Sequence, residues 1–433
     1  MSSKFNRELK ELVRNQVVST DIADKISQYY DAKNDSKSNR LFTVFGVLGA
    51  LLVGSGIILM LAHNWDDFSK MTKTVLAFVP LLIGQCLAGF SILKNKSKTW
   101  KESSGTFLFF AVGVSISLIS QIYNISGDLG PFLQIWIALC IPLIYVLRSH
   151  AVMVLVVLFS TYYALEVGLW EYRDNTTPWM YLVFMLTIIP HYWLQLKKYI
   201  SSNTTSIFNW ILPISIALSL ATFINKNEEL GFVMYLSLFG LFYTIGRLAI
   251  FKGVWVLRNG YLIIGSLGTI ILLMIFTFRW PWKEFFNTWS YNSQEFYITI
   301  ALGVIAIMIL GYTIVKKGIK TTDLFQYAFL IFWGLFFGVS GETMLPMVLT
   351  NLLVFVLGII TIRKGANTFN FGILNYGLLI ISILIICRFF DTNMSFEVKG
   401  VLFVAVGTGF FLTNYRMLKK QQKKELNKQK TIS

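Results

Sequence analysis

The sequence predicts an all-α fold: a polytopic bundle of about fourteen transmembrane helices behind a short cytoplasmic helical hairpin. Three observations carry the prediction. Of 433 residues, 55% are hydrophobic and only 14% are charged, far from the composition of a soluble domain. The apolar residues gather into runs of about 17 to 23, the length that crosses about 30 Å of hydrocarbon at 1.5 Å per residue. The basic residues alternate from loop to loop, as the positive-inside rule requires.

Residues 1–40 form the hairpin and its linker. They are charged and lack an apolar h-region, so no cleavable signal peptide is expected. Phe5, Leu9, Leu12 and Val13 are spaced i, i+4, i+7, i+8, and so are Ile22, Ile26, Tyr29 and Tyr30. Between the two stripes "NQVVSTD" reads as a turn, with Ser19 or Thr20 placed to cap the second helix and Asp21 and Asp24 favourable in its first turn. So short a piece has a small core at best, which points to docking on headgroups, on the bundle or on a protein partner.

The bundle spans residues 41–415. Its crossings read as 41–62, 73–93, 104–124, 131–147, 151–168, 178–195, 207–224, 231–250, 259–278, 295–315, 323–340, 344–362, 369–388 and 397–415. The fourth, fifth and eleventh are short, which keeps counts of twelve or thirteen open. In the first, Gly46, Ala50 and Gly54 lie four apart, a small-residue stripe that lets a neighbouring helix approach. Pro80, Pro142, Pro190 and Pro213 fall inside spans, where neighbours satisfy the freed carbonyls. Residues 416–433 read as a basic cytoplasmic tail.

The formal net charge is +16, and its distribution gives it a topological cause. With both termini in the cytoplasm, the 38 Lys and Arg divide into thirty inside and eight outside, and the 22 acids into nine inside and thirteen outside. Fourteen crossings preserve this bias, and dropping one inverts every later loop. The basic face therefore addresses anionic lipid headgroups on the cytoplasmic side, not nucleic acid, each Lys or Arg near the leaflet being worth about 1 kcal/mol. The expected location is a bacterial cytoplasmic (inner) membrane.

No P-loop, metalloprotease helix, dinucleotide turn or paired metal-ligand spacing is found, so no cofactor, metal or catalytic residue is assigned and no enzyme is expected. Cys86, Cys140 and Cys387 lie inside spans without paired spacing and read as packing residues. His63 ends the first span, His150 lies in an inner loop and His191 in the inner part of the sixth span, so the three cannot share one metal. Polar groups inside spans are sparse: Gln85, Gln121, Glu166, Arg247, Gln326, Asn351 and Asn375. Arg247, near an inner end, is placed to snorkel.

Three outward helices bring polar and aromatic groups to one level. The first span ends in "HNWDD", contributing Asn64, Trp65 and Asp66; the third ends in "SQIYNISGD", contributing Gln121, Tyr123 and Asp128; the fifth contributes Glu166 near Trp170. Gln121 and Tyr123 cannot share a face of a regular helix, so the end of the third span is expected to unwind and free carbonyls that, with Asp66 and Asp128, hold a cation or a cationic substrate group. The rival is structural: Asn64 and Asp66 cap the segment leading into the second span, the acids pair with Lys70 or Lys73, and the aromatics form an interfacial belt.

The stretches "GIILMLAHNWDDFSKMTK", "GVSISLISQIYNISGD" and "IWIALCIPLIYVLRSHAVMVLVV" resemble the bacterial membrane-protein family catalogued as domain of unknown function 2157, over about residues 5–170. The resemblance implies the N-terminal hairpin, a first span ending in an Asn-Trp-Asp turn and a third closed by Gln-Ile-Tyr. Asn64, Trp65, Asp66, Gln121, Tyr123 and Asp128 match that pattern, whereas His63 stands where a small residue is usual. It implies no activity. Two classes of function follow: a carrier of a small solute or an envelope-lipid intermediate, or a non-transporting scaffold or sensor that docks a partner through residues 1–40. A membrane-embedded transferase ranks third for want of a nucleophile or metal cluster.

Overall fold

The computed structural model describes residues 9, 11–15, 17–26, 65–170, 176–225, 227–284, 290–339 and 343–391, with scattered positions between 400 and 419. Among them every extended element is helical and no strand occurs. They form two compact units: residues up to 79 together with 121–123, and residues 80–120 together with those from 124 onward.

Twelve long helices are described. They are α1 (Lys70–Leu93), α2 (Lys98–Ile122), α3 (Leu129–Val146), α4 (His150–Leu165), α5 (Trp179–Lys198), α6 (Asn203–Leu220), α7 (Glu228–Gly246), α8 (Gly260–Ile275), α9 (Gln294–Lys317), α10 (Ala328–Gly338), α11 (Met344–Thr368) and α12 (Phe371–Asp391). They coincide one for one with the second to thirteenth spans read from the sequence. Ten helices are long and apolar enough to cross a membrane, and α8 and α10 are shorter. The eleventh span is the one that departs from its reading. Residues 324–326 are a separate 3-10 turn, and α10 proper has 11 residues, about 17 Å of helix. Asp323, read as the first residue of that span, lies outside its helix.

In the first unit, residues 11–14 and 20–26 are helical, the latter with a Lys25–Asp21 ion pair of 2.8 Å. The first span, with Gly46, Ala50, Gly54 and His63, lies outside the described residues, as do most of the fourteenth span and the tail.

In the second unit the core is aliphatic and aromatic. Trp136 of α3 lies against Phe109 and Phe159, its Nε1 donating to the Phe109 carbonyl at 2.7 Å. Gly113 of α2 makes room for that indole, since a Cβ there would come within 2.3 Å of it. α7 is the most enclosed helix, with α8, α9 and α10 packed on it. The α7–α8 approach depends on Gly265, where a Cβ would fall 2.4 Å from the Tyr243 backbone nitrogen. Pro80, Pro142, Pro190 and Pro213 sit within α1, α3, α5 and α6 without ending them. All three cysteines are free, Cys140 buried and Cys86 exposed.

Within this unit the connections hydrogen-bond with others of the same parity. At one end, Glu102 reaches the α3–α4 turn, Arg258 of the α7–α8 connection reaches Ser201 and Asn203 before and within α6, and Arg247, Asp323 and Lys364 meet. At the opposite end, Asn225 reaches Thr177 and Glu295, and Arg279 reaches Thr343. The first set contains the loops that the sequence reads as basic and inner.

Candidate functional site

Of the described residues singled out from the sequence, Trp65, Asp66, Gln121 and Tyr123 belong to the first unit, and Asp128 and Glu166 to the second. Asn64 lies outside the described residues. Trp65 and Asp66 open the turn before α1, with Asp66 exposed and Lys73 Nζ 5.8 Å from the indole centroid of Trp65. Among the described residues Asp66 has no ion pair, so the expected pairing with Lys70 or Lys73 is replaced by a cation–π contact. Gln121 is still helical and exposed. The predicted unwinding is later than expected: α2 continues to Ile122, and the left-handed residue is Asn124, at φ 52°. Tyr123 bonds the Thr74 hydroxyl at 3.1 Å, and no acid.

Asp128 and Glu166 belong to the second unit. Asp128 precedes α3 in an extended conformation, exposed and without a side-chain cap bond. Glu166, half-buried, opens a π-helical turn, Glu166–Trp170, that continues α4. Among the described residues no three His, Cys, Asp or Glu side chains come together in a way that could hold a metal.

The structure gathers polar chemistry instead at the end carrying the basic loops. Glu102 of α2 accepts from the Ser149 hydroxyl at 2.5 Å, from Ala151 N at 2.8 Å and from His150 N at 3.1 Å. It thus supplies a carboxylate to the first-turn amides of α4, where the helix dipole favours negative charge. His150 Nδ1 lies 3.2 Å from His191 Nε2 of α5. The histidines that the sequence left separate are thereby paired, across 41 residues of chain.

The second group centres on Asp323, whose side chain is only 15% exposed. Lys364 Nζ of α11 sits 3.0 Å from Oδ2, Arg247 Nε at the end of α7 lies 3.5 Å away, and the Tyr243 hydroxyl donates to the same oxygen at 2.8 Å. Gln326 accepts from the Asp323 backbone through Oε1 at 3.2 Å. One carboxylate therefore joins α7, the turn before α10, and α11. The group is incompletely paired: Asp323 Oδ1, Gln326 Nε2 and Arg247 Nε are buried without a hydrogen-bond partner among the described residues. Buried atoms of this kind are uncommon, because each forgoes its bond to water.

Beside this group is a cavity of about 290 Å³, lined by Arg247, Leu248, Phe251, Lys252, Lys317 and Gln326 among others. Its mouth is basic and its wall partly apolar. Sequence reading listed Arg247 and Gln326 as sparse intramembrane polar groups but did not join them, and it passed over Glu102 and Asp323. A signal for those two was present. On the inner side between the first span and the tail they are the two acids, Glu102 in a loop and Asp323 as the first residue of the eleventh span, set against the prevailing charge of that face.

A bundle of apolar helices of membrane-crossing length, with charged groups confined to its ends, defines a polytopic helical membrane protein. Residues 10–153 match the model of a family described as predicted membrane protein, domain of unknown function 2157. The match covers about a third of the chain and lies within the stretch of resemblance read from the sequence. No curated protein and no solved structure matches the chain.

Proposed function

We propose that the protein is a carrier, for a small solute or an envelope-lipid intermediate, that crosses a bacterial inner membrane about fourteen times with both termini in the cytoplasm. The observation that carries the reading is the Asp323 group: one carboxylate shared by cations on two helices, beside a cavity, in an otherwise apolar bundle. A carboxylate buried at the end of a helix bundle loses its hydration, and its burial beside a cavity makes it a functional-site candidate. An ion pair that leaves buried atoms unpaired is only weakly stabilising, which suits a latch that must open. On this reading Asp323 holds the cytoplasmic ends of α7, α10 and α11 together, and release of the latch opens the cavity inward. The reading assigns no bond-making chemistry.

The test uses a cysteine-free background with one cysteine at Ser237, fully buried halfway along α7 and bonded by Trp333 at 2.9 Å. A carrier passes through states open to either side, so an impermeant thiol reagent labels this position in whole cells and in inverted vesicles. Asp323→Asn raises the rate in inverted vesicles at least threefold. Absence of labelling, or labelling from one side with no response to Asp323→Asn, returns the protein to the scaffold class. That second reading has its own support in the exposed apolar residues Leu12, Val17 and Ile22 of the N-terminal segment, 40%, 67% and 51% accessible, which a docking partner would cover.

A further inference from the structure

We infer that the cavity beside Asp323 binds a phosphate group. The inference rests on the carrier reading for its purpose, since it names the class of cargo, but the binding itself stands on four observations. The charge is unbalanced: Arg247, Lys252 and Lys317 line the cavity and no carboxylate does. Asp323, the nearby acid, is already shared between Arg247 and Lys364. Lys252 and Lys317 are exposed and have no ion-pair partner among the described residues, whereas neighbouring Lys316 is held by the Tyr312 hydroxyl at 2.9 Å.

The third observation is an unused donor. Gln326 lines the cavity, is 1% exposed, and its Oε1 is committed to the Asp323 backbone while its Nε2 has no partner among the described residues. A buried amide N–H₂ without an acceptor loses its hydration with nothing in return, and an anionic oxygen in the cavity supplies the acceptor. The fourth is the shape of the donor set. Arg247 has its Nε toward Asp323 and its Nη2 on the Thr321 carbonyl at 3.5 Å; its remaining guanidinium donors, two flexible ammonium groups and one amide suit an anion with several oxygens spread in three dimensions, which is a phosphate, better than a planar carboxylate held by Arg alone. Leu248 and Phe251 give the cavity an apolar wall, suited to the carbon chain next to a lipid phosphate. Both a lipid headgroup and a soluble phosphate present the same oxygens, and basic pockets between helices on the cytoplasmic side are recognised headgroup sites.

The experiment uses the full-length protein. In detergent, binding of radiolabelled inorganic phosphate is measured by equilibrium dialysis. In nanodiscs of phosphatidylcholine, retention of added phosphatidic acid is measured by native mass spectrometry. Lys252→Gln combined with Lys317→Gln removes two exposed charges without touching the core, and Lys198→Gln, an exposed lysine on α5, serves as control. Saturable binding by the wild type and by Lys198→Gln, weakened at least tenfold in the double variant, supports the site. Such binding of phosphatidic acid alone identifies the headgroup as the source, and of inorganic phosphate as well, a soluble phosphate. Absence of saturable binding of both probes, or equal binding by the double variant, overturns it. Phosphate binding with no two-sided labelling at Ser237 keeps the site and removes the carrier reading. Two-sided labelling without phosphate binding does the reverse.

Discussion

The two ends of the bundle differ in how their polar residues are held. At the end of the second unit that the charge pattern assigns to the outside, Asp128 is exposed, and Asp66, Gln121 and Tyr123 of the first unit are exposed as well. At the other end two isolated acids are partnered: Glu102 holds the start of α4 through three donors, and Asp323 draws partners from α7 and α11. The exception at the former end is Glu295, 1% exposed, whose Oε1 accepts from Asn225 N at 2.7 Å and from Asn227 N at 3.3 Å. Density along the chain and assembly in space are thus separate properties. A helix end collects Trp, Tyr and acids because the interface favours them; only burial demands that such groups find partners.

The largest expected effect is all-or-none and tests the assignment of the two ends. In a cysteine-free background, single cysteines at Ser69 and Ser126 react with an impermeant thiol reagent in whole cells, and one at Ser97 does not. All three positions are exposed in the structure, so burial does not confound the result. Labelling at Ser97 in intact cells would invert the comparison and place the Asp323 cavity outside.

The next effect sharpens the contrast in energy. Asp323→Ala removes the acceptor for Lys364, Arg247 and Tyr243 at once. Breaking a buried pair costs about 3 to 5 kcal/mol. With the cations 34% and 35% exposed, solvent screening lowers the expectation to about 2 kcal/mol, read as a lower denaturation midpoint in mild detergent. Adding Lys364→Met to Asp323→Ala recovers part of that loss by removing one stranded charge. A fall of less than about 0.5 kcal/mol, the range of ordinary surface changes, would mean that water satisfies this group as it does the outer acids.

How much of this was legible follows from the same physics. The existence and order of helices α1 to α12 were readable because a membrane span is a local property, set by the run of apolar residues. The end of α2 was readable to within two residues. The start of α10 was not, because Leu324 and Phe325 carry the apolar run back to Asp323, while the 3-10 turn that separates them is fixed by Asp323 and its partners. Those partners are 41 to 80 residues away in sequence, as His150 and His191 are 41 apart. Periodicity carries no information about contacts over such separations. Charge parity did carry some: an acid on the inner side between the first span and the tail has to be explained, and both examples proved to be partnered.

The smallest expected effect falls on the residues that first drew attention. Asp66→Asn and Asp128→Asn each change an exposed carboxylate with no ion pair among the described residues, and Asp128 makes no cap bond. Each is expected to alter stability by less than about 0.5 kcal/mol, measured beside Asp323→Ala under the same conditions. Asn also replaces Asp well at a helix cap, so a purely local role for Asp66 predicts the same silence. Function separates what stability does not. Once phosphate-dependent flux into proteoliposomes is measurable, the Asn variants should retain it if these acids serve only the turn and the solvated surface. Loss of flux at unchanged stability and abundance would show instead that Asp66 and Asp128 act on a cation or a cationic group during transport. The outer end would then be a ligand site assembled only when occupied, and the contrast with the preassembled Asp323 group would be one of timing, not of importance.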